Sequence, residues 1–260
     1  MNTKADFSDL TIRTLSAVIM LAVAGGAIWQ GGNPFKALLI IAAGLMAWEI
    51  SRMHDGRKGL AVVAGAIVGL CVFLTFFPLG FSSLIILGLQ ILVALLVMET
   101  HRTSKMIVFL SILIIIFATT ALGAFRDDQG FTLTLWLLLC IIASDIGGYF
   151  AGKTLGGPKL WARISPKKTW SGTIGGWVLA IIVSAILVSV TGQETWIIAA
   201  SVFVAIAAQS GDLAESAIKR RAGVKDSSHL IPGHGGFLDR FDGVLGVCFL
   251  VFIAGAMGCL

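Results

Sequence analysis

Charged residues are scarce in this chain of 260 residues, and their scarcity excludes most soluble proteins. Asp, Glu, Lys and Arg together make up 13% of the residues, whereas hydrophobic residues make up 57%. Soluble domains contain on average about 25% charged residues. The composition therefore predicts an all-α integral membrane protein that crosses the bilayer several times and has no separate soluble domain.

Several motifs are also missing. The chain has 4 cysteines, none in a CxxC pair, so we exclude a disulfide framework and a zinc site and interpret them as small core residues. No GxxxxGK[ST] stretch is present, which excludes a P-loop. The first apolar run has no small-residue cleavage site, so we expect it to be retained as a span. The four cysteines are Cys71, Cys140, Cys248 and Cys259.

Apolar runs of helix length fill most of the chain. A transmembrane helix needs about 20 apolar residues, and nine runs approach this length. We interpret residues 1–260 as one polytopic domain, with 1–130 as N-terminal scaffold helices that offer a dimer or lipid-entry surface and 131–260 as the catalytic part. The runs are 11–30, 34–51, 59–78, 82–98, 105–123, 131–151, 172–191, 195–215 and 240–259.

The distribution of positive charge predicts the orientation. With the N-terminus in the cytoplasm, only Lys36 and Arg126 of the 19 basic residues fall on the outer side. Lys and Arg concentrate in cytoplasmic loops of membrane proteins. We therefore expect nine spans, a cytoplasmic N-terminus and a location in the cell (inner) membrane.

Five acidic residues lie near the predicted cytoplasmic ends of apolar runs. Carboxylates at such positions are costly and usually face a polar cavity or a partner. We expect them to line a polar funnel that opens to the cytoplasm. They are Glu49, Glu99, Asp145, Asp212 and Glu215.

Two long basic loops, 152–171 and 216–239, share the cytoplasmic side. The first contains five basic residues and no acid. Such a loop could simply contact anionic lipid headgroups, but its SPKKT segment offers side-chain donors suited to phosphate oxygens. These donors are Ser165, Lys167, Lys168 and Thr169.

The acids also form spaced pairs. Asp212, Glu215, Ser216 and Lys219 stand at i, i+3, i+4 and i+7, which places them on one helix face. Asp239 and Asp242 are again three residues apart. Carboxylates beside a basic field favour Mg²⁺ bound among phosphates, and the absence of clustered His or Cys argues against zinc.

The stretch 216–242 contains a serine, a Lys-Arg pair, a Lys-Asp pair, Pro-x-His-Gly-Gly and Asp-Arg-x-Asp, in that order. This pattern resembles the signature of the phosphatidate cytidylyltransferases, also called CDP-diacylglycerol synthases. The resemblance extends to GDLAES at 211–216 and SPKKTW at 165–170. Two positions depart from the usual pattern, Ser171 where an acid is common and Ile146 where a small hydroxyl residue is common. The matching positions are Ser216, Lys219, Arg220, Lys225, Asp226, Pro232, His234, Gly235, Gly236, Asp239, Arg240 and Asp242.

This resemblance implies the reaction of CTP with phosphatidate to give CDP-diacylglycerol and diphosphate. It also implies Mg²⁺, a candidate K⁺ as second metal, and a homodimer. The expected metal ligands are Asp212, Asp239 and Asp242, and the expected catalytic residues are these three with Lys219 and Arg220. The expected substrate-binding residues are Asp145, Ser165, Lys167, Lys168, Thr169, Glu215, Ser216, Lys225, His234, Gly235, Gly236 and Arg240.

Three other interpretations fit parts of the sequence. An anion transporter would use the acids and the basic vestibule, but broken helices near the midplane are not evident. Another CTP-dependent lipid-modifying enzyme would share the substrates, although the aspartate pattern of the CDP-alcohol phosphotransferases is absent. A scaffold that only binds acidic lipids would leave the carboxylate pairs without a role.

Overall fold

The computed structural model describes residues 7–55 and 58–258. Within these residues the chain forms eight helices and one two-stranded hairpin. Each of the nine predicted apolar runs overlaps a helix. Eight helices cover the nine runs because α5 overlaps two of them. The helices are α1 Phe7–Gln30, α2 Gly32–Asp55, α3 Lys58–Phe76, α4 Ser83–Glu99, α5 Lys105–Thr154, α6 Trp170–Thr191, α7 Trp196–Arg221 and α8 Leu238–Ala256.

Helix α5 has 50 residues and is broken at Gly130. At 1.5 Å per residue an unbroken helix of this length would reach about 75 Å, far more than the ~30 Å of a hydrocarbon core. The backbone at Gly130 leaves the helical conformation, with φ 78° and ψ −174°. Each half of α5 is therefore long enough to cross a bilayer by itself.

The helices have the length and surface of a membrane protein. Five of the described helices, α2, α3, α5, α6 and α7, contain stretches long and apolar enough to span a bilayer. Large apolar side chains are exposed on their neighbours as well, with Leu21 at 67% and Leu84 at 80%. Exposed apolar surface of this extent fits contact with lipid, so the chain is a predominantly helical membrane protein.

The basic loop predicted at 152–171 contains structure that the all-α interpretation did not include. Strand β1 (Lys159–Trp161) pairs antiparallel with β2 (Ser165–Thr169). The hairpin leads directly into α6, whose N-cap is Thr169. The SPKKT segment is therefore held as a strand, and alternate side chains along it point in opposite directions.

The chain packs as two compact units, each made of two stretches of the sequence. The predicted division near residue 130 into scaffold and catalytic helices stays a prediction. One unit contains the described residues of Met1–Ile112 together with Val224–Arg240. The other contains Leu113–Gly223 and the described residues from Phe241 onwards. The loop after α7 thus belongs with the N-terminal helices, while α5 beyond Ile112, α6, α7 and most of α8 form the second unit.

The second unit has an apolar core that contains a buried polar group, the hydroxyl of Ser184. Trp136 of α5 donates from Nε1 to Ser184 Oγ at 2.8 Å, and Cys140 Sγ lies 3.3 Å from the same hydroxyl. Cys71, Cys140 and Cys248 are buried free thiols, which confirms the prediction for these three. Cys259 lies outside the described residues.

We expect Ser184→Ala to destabilise the protein. The substitution leaves the indole N–H of Trp136 buried without its acceptor, at a cost of about 1–3 kcal/mol. Thermal unfolding in detergent should show a lower Tm for this variant. Ser189→Ala on the same helix is the matched control, because Ser189 is exposed and donates only to Ile186 O of its own helix. An unchanged Tm for Ser184→Ala would contradict the prediction.

Candidate active site

Three carboxylates converge in the second unit. Asp212 and Glu215 lie one turn apart on α7, and Asp242 is the fifth residue of α8. One oxygen of each lies within 4.8 Å of the others. Hard oxygen ligands in such a group suit Mg²⁺, so the donor set fits the metal that the sequence predicted.

Close packing of α7 against α8 brings Asp242 to the other two carboxylates. A side chain at Gly211 would collide with the carbonyl oxygen of Asp242 and would lie 3.0 Å from Gly246 N. A side chain at Gly246 would in turn meet the carbonyl oxygen of Ala207. Glycine at both positions therefore allows the backbones of α7 and α8 to come into contact at Gly211, the residue that precedes Asp212.

Two lysines pair with the carboxylates. Lys168 Nζ, on β2, lies 2.5 Å from Asp212 Oδ2. Lys219 Nζ lies 2.6 Å from Glu215 Oε2, one turn away on α7, and both of these side chains are mostly buried. Ser216 Oγ donates to Asp212 Oδ1 at 3.3 Å. The predicted common helix face is thus confirmed.

A cavity of about 370 Å³ adjoins this group within the second unit. Asp145 and Lys167 line it, as does Lys168. Gln209 joins two other residues of the cavity lining, because its Nε2 donates to Ser144 Oγ at 3.1 Å and to Thr173 O at 3.2 Å. The complete lining is Ser144, Asp145, Gly148, Tyr149, Gly152, Lys153, Lys167, Lys168, Thr169, Gly172, Thr173, Gln209 and Asp212.

Two residues of the SPKKT segment have structural contacts of their own. Thr169 is buried, and its hydroxyl accepts from Gly172 N at 3.2 Å as the N-cap of α6. Ser165 stands opposite Trp161 in the hairpin and is not among the residues that line the cavity. The structure therefore places Lys167 and Lys168, rather than Ser165, at the cavity.

A second cavity, of about 430 Å³, lies in the first unit and is formed by the loop after α7. Lys225, Gly235 and Arg240 line it together with His234. Arg240 donates to His234 O from Nε at 3.1 Å and from Nη2 at 2.6 Å. His234 Nδ1 also lies 3.0 Å from Ser16 Oγ on α1, a contact that the sequence did not predict.

Asp239 lies in the first unit, and one of its carboxylate oxygens accepts three hydrogen bonds from the loop. Its Oδ2 accepts from Ser227 N at 2.9 Å, from Ser227 Oγ at 3.1 Å and from Gly236 N at 2.9 Å. These hydrogen bonds hold the loop. Among the described residues, the carboxylate group of the second unit adds Glu215 to the predicted ligands Asp212 and Asp242, and the metal-binding role of Asp239 stays a prediction.

The five acids of the predicted funnel have different surroundings within their own units. Glu49 is fully buried within the first unit and accepts hydrogen bonds from the loop, so it does not line an open cavity. Glu99 is exposed and pairs with Lys105. Only Asp145, Asp212 and Glu215 of the five lie at the cluster and cavity of the second unit. Arg220 lies in the last turn of α7.

Comparison with known proteins gives a consistent picture. Residues 11–257 match the cytidylyltransferase family. The chain is 33% identical over 258 residues to a phosphatidate cytidylyltransferase of Brucella suis biovar 1 (strain 1330), covering 96% of this chain and 94% of the relative. It is 32% identical over 264 residues to the phosphatidate cytidylyltransferase of Bacillus subtilis (strain 168), covering 94% and 97% respectively.

Substitution of Gly211 tests how the carboxylates are brought together. We expect Gly211→Ala to force α7 and α8 apart and to lower the free energy of unfolding by about 1–3 kcal/mol, as overpacking does. Thermal unfolding in detergent measures this change. Gly88→Ala is the matched control, since a side chain there meets no atom within 4 Å. Equal Tm values for the two variants would argue against close packing at Gly211.

Proposed function

The chain belongs to the cytidylyltransferase family, and from this membership we propose that it is a phosphatidate cytidylyltransferase. In the reaction, a phosphate oxygen of phosphatidate forms a bond to the α-phosphorus of CTP. The bond from that phosphorus to the bridging oxygen of the β-phosphate breaks, and diphosphate leaves. The observation that carries the proposal is the family match over residues 11–257, which includes every residue of the carboxylate–lysine cluster.

The chemistry requires charge neutralisation more than a protein base. The attacking group is a phosphate monoester with a second pKa of about 6, so it is mostly dianionic at neutral pH. Its approach to the triphosphate of CTP brings two polyanions together. Lys167 and Lys168 at the cavity, with Lys219 and Arg220 at the end of α7, supply the positive charge that holds phosphate oxygens in position.

The carboxylate group is the proposed site for Mg²⁺. Asp212, Glu215 and Asp242 would hold the ion, so Glu215 joins the ligands that the sequence favoured, and Asp239 remains a predicted ligand. Mg²⁺ bound there would stabilise the charge of the departing diphosphate. We retain K⁺ as a candidate second metal on the basis of the family resemblance.

The loop cavity of the first unit is the second proposed phosphate-binding region. Lys225, His234 and Arg240 present cationic and N–H groups around it. Phosphatidate is a membrane lipid and CTP is a cytosolic nucleotide, so we place the site at the cytoplasmic face of the cell membrane. The nine-span arrangement with a cytoplasmic N-terminus and a homodimeric assembly complete the proposal.

The direct test uses the purified protein in detergent micelles. CTP, phosphatidate and Mg²⁺ are supplied, and both diphosphate release and formation of the CDP-lipid are measured. We expect the two products in equal amounts. Absence of both over a range of Mg²⁺ and K⁺ concentrations would overturn the proposed function, and diphosphate without CDP-lipid would indicate hydrolysis of CTP instead.

The metal ligands are tested by Asp242→Asn. We expect turnover to fall at least about 100-fold, because even loss of an outer-shell partner of a metal site costs about 10- to 100-fold. A binding readout accompanies the assay, since Mg²⁺ should raise the Tm of the wild-type protein but not of the variant. Asp128→Asn, outside the carboxylate group, is the control. A normal Mg²⁺ response in Asp242→Asn would remove Asp242 from the site.

The phosphate-binding role of Lys168 is tested by Lys168→Ala. We expect the KM for CTP to rise about tenfold, the effect of losing one hydrogen bond to a charged group. Lys36→Ala is the control, because Lys36 lies on α2 near the ring of Phe76 and outside the proposed site. Its kinetics should change less than about twofold. Equal KM values in the two variants would count against Lys168.

A further inference from the structure

Glu49 of α2 is a fully buried charged residue outside the signature stretch. Its Oε1 accepts from Ser228 Oγ at 2.5 Å and from Phe237 N at 2.8 Å. Its Oε2 accepts from Leu238 N at 2.6 Å. The partners are separated from Glu49 by 179 to 189 positions in the sequence. One carboxylate therefore joins α2 to both ends of the segment 228–238.

The three donors explain why a carboxylate is tolerated there. A buried ionised group is costly unless hydrogen bonds satisfy it. Leu238 N is the first N–H group of α8, and the positive end of a helix dipole favours a negative charge. The loop packs closely against the Glu49 carboxylate, because a side chain at Gly236 would lie 2.7 Å from Glu49 Oε1.

Through Leu238, Glu49 also fixes groups that face the loop cavity. Arg240 follows Leu238 by two residues in the first turn of α8 and donates twice to the carbonyl oxygen of His234. Both residues line the cavity together with Lys225. Holding the start of α8 therefore holds Arg240, and Arg240 holds the backbone at His234.

We propose that Glu49 is a positioning residue that keeps the phosphate-binding loop in its binding conformation. This role rests on the proposed function, in which Lys225, His234 and Arg240 contact substrate phosphates. Glu49 itself contacts no substrate. It acts through the backbone of residues 228–238. It lies on α2, which we interpreted from the sequence as a scaffold helix.

The substitution Glu49→Gln preserves the size of the side chain and removes one of the two acceptor oxygens that the proposal requires. A glutamine has one acceptor oxygen and presents an NH₂ group on the other side. With the oxygen facing Ser228 and Phe237, the NH₂ group opposes Leu238 N–H. Glu99→Gln is the matched control, because Glu99 is exposed at the end of another helix in the same unit and pairs with Lys105.

The first measurement does not depend on the reaction. Hydrogen–deuterium exchange of the full-length protein in detergent is followed at the amides of residues 227–238. We expect exchange at Phe237 and Leu238 to become about tenfold faster in Glu49→Gln and to remain unchanged in Glu99→Gln. Equal exchange in the two variants overturns the proposal, whether or not the protein is active.

The second measurement separates positioning from loss of folded protein. A smaller folded fraction lowers kcat and leaves KM unchanged, whereas displaced phosphate contacts raise KM. In Glu49→Gln we expect the KM for CTP or for phosphatidate to rise about tenfold, with kcat reduced less than threefold. Faster exchange with both KM values unchanged would leave Glu49 a purely structural residue and overturn the proposal.

Two further results are kept distinct. If the wild-type protein forms no CDP-lipid, the proposed function fails. The exchange measurement then still shows whether Glu49 holds the loop, because exchange in Glu49→Gln is faster if it does and unchanged if it does not. If Glu49→Gln does not fold, Ser228→Ala replaces it, since it removes one donor and keeps the carboxylate. We expect a smaller change in the same direction, in exchange and in KM, and no change in either overturns the proposal.

Discussion

Three carboxylates held close together in an apolar helical unit impose the central constraint on this protein. Two unit charges about 4 Å apart repel by about 4 kcal/mol at an effective dielectric constant of 20. The structure answers the repulsion with Lys168 and Lys219, each paired with one carboxylate. Without the lysines, repulsion between Asp242 on α8 and the two acids of α7 would favour separation of these helices. The close glycine contact between α7 and α8 therefore depends on the lysines, and the lysines depend on that contact to meet all three carboxylates.

The two units satisfy their acids in different ways. In the second unit, Asp212 and Glu215 pair with lysine ammonium groups, which stand on long rotatable stems and can exchange a carboxylate partner for a phosphate oxygen. In the first unit, Glu49 and Asp239 accept mainly from backbone N–H groups, which have fixed positions. Ion pairs that can rearrange suit binding and release of charged ligands, whereas fixed hydrogen bonds suit a loop that must keep its shape.

The sequence predicted the elements of this arrangement better than their contacts. Apolar runs located the helices because a lipid-exposed backbone must satisfy its own hydrogen bonds within one element. Spacing along α7 placed Asp212, Glu215 and Lys219 on one face, because helix geometry is local. The hairpin around Lys168 escaped detection, since its strands are only three and five residues long and lie in a glycine-rich basic segment.

Long-range contacts explain the remaining differences. Asp239 and Asp242 are equivalent by spacing, yet one accepts hydrogen bonds within the loop and the other joins Asp212. Their spacing alone does not distinguish them, because two of the three hydrogen bonds to Asp239 Oδ2 come from Ser227, 12 positions away. The role of Glu49 is set by partners 179 to 189 positions away, beyond any periodicity. An acidic residue in an apolar helix thus indicates that a polar partner exists, but only the fold identifies that partner.

Two glycines within the family resemblance are required for different physical reasons. Gly211 is required by the approach of α8 to α7, and this approach determines where Asp242 stands relative to Asp212. Gly236 is required by the approach of the loop to Glu49 and Ser227, and this approach determines where Arg240 stands. Neither glycine carries a functional group. Each acts by letting one backbone lie where a side chain would otherwise hold it away, and the charged residues next to it take their positions from that contact.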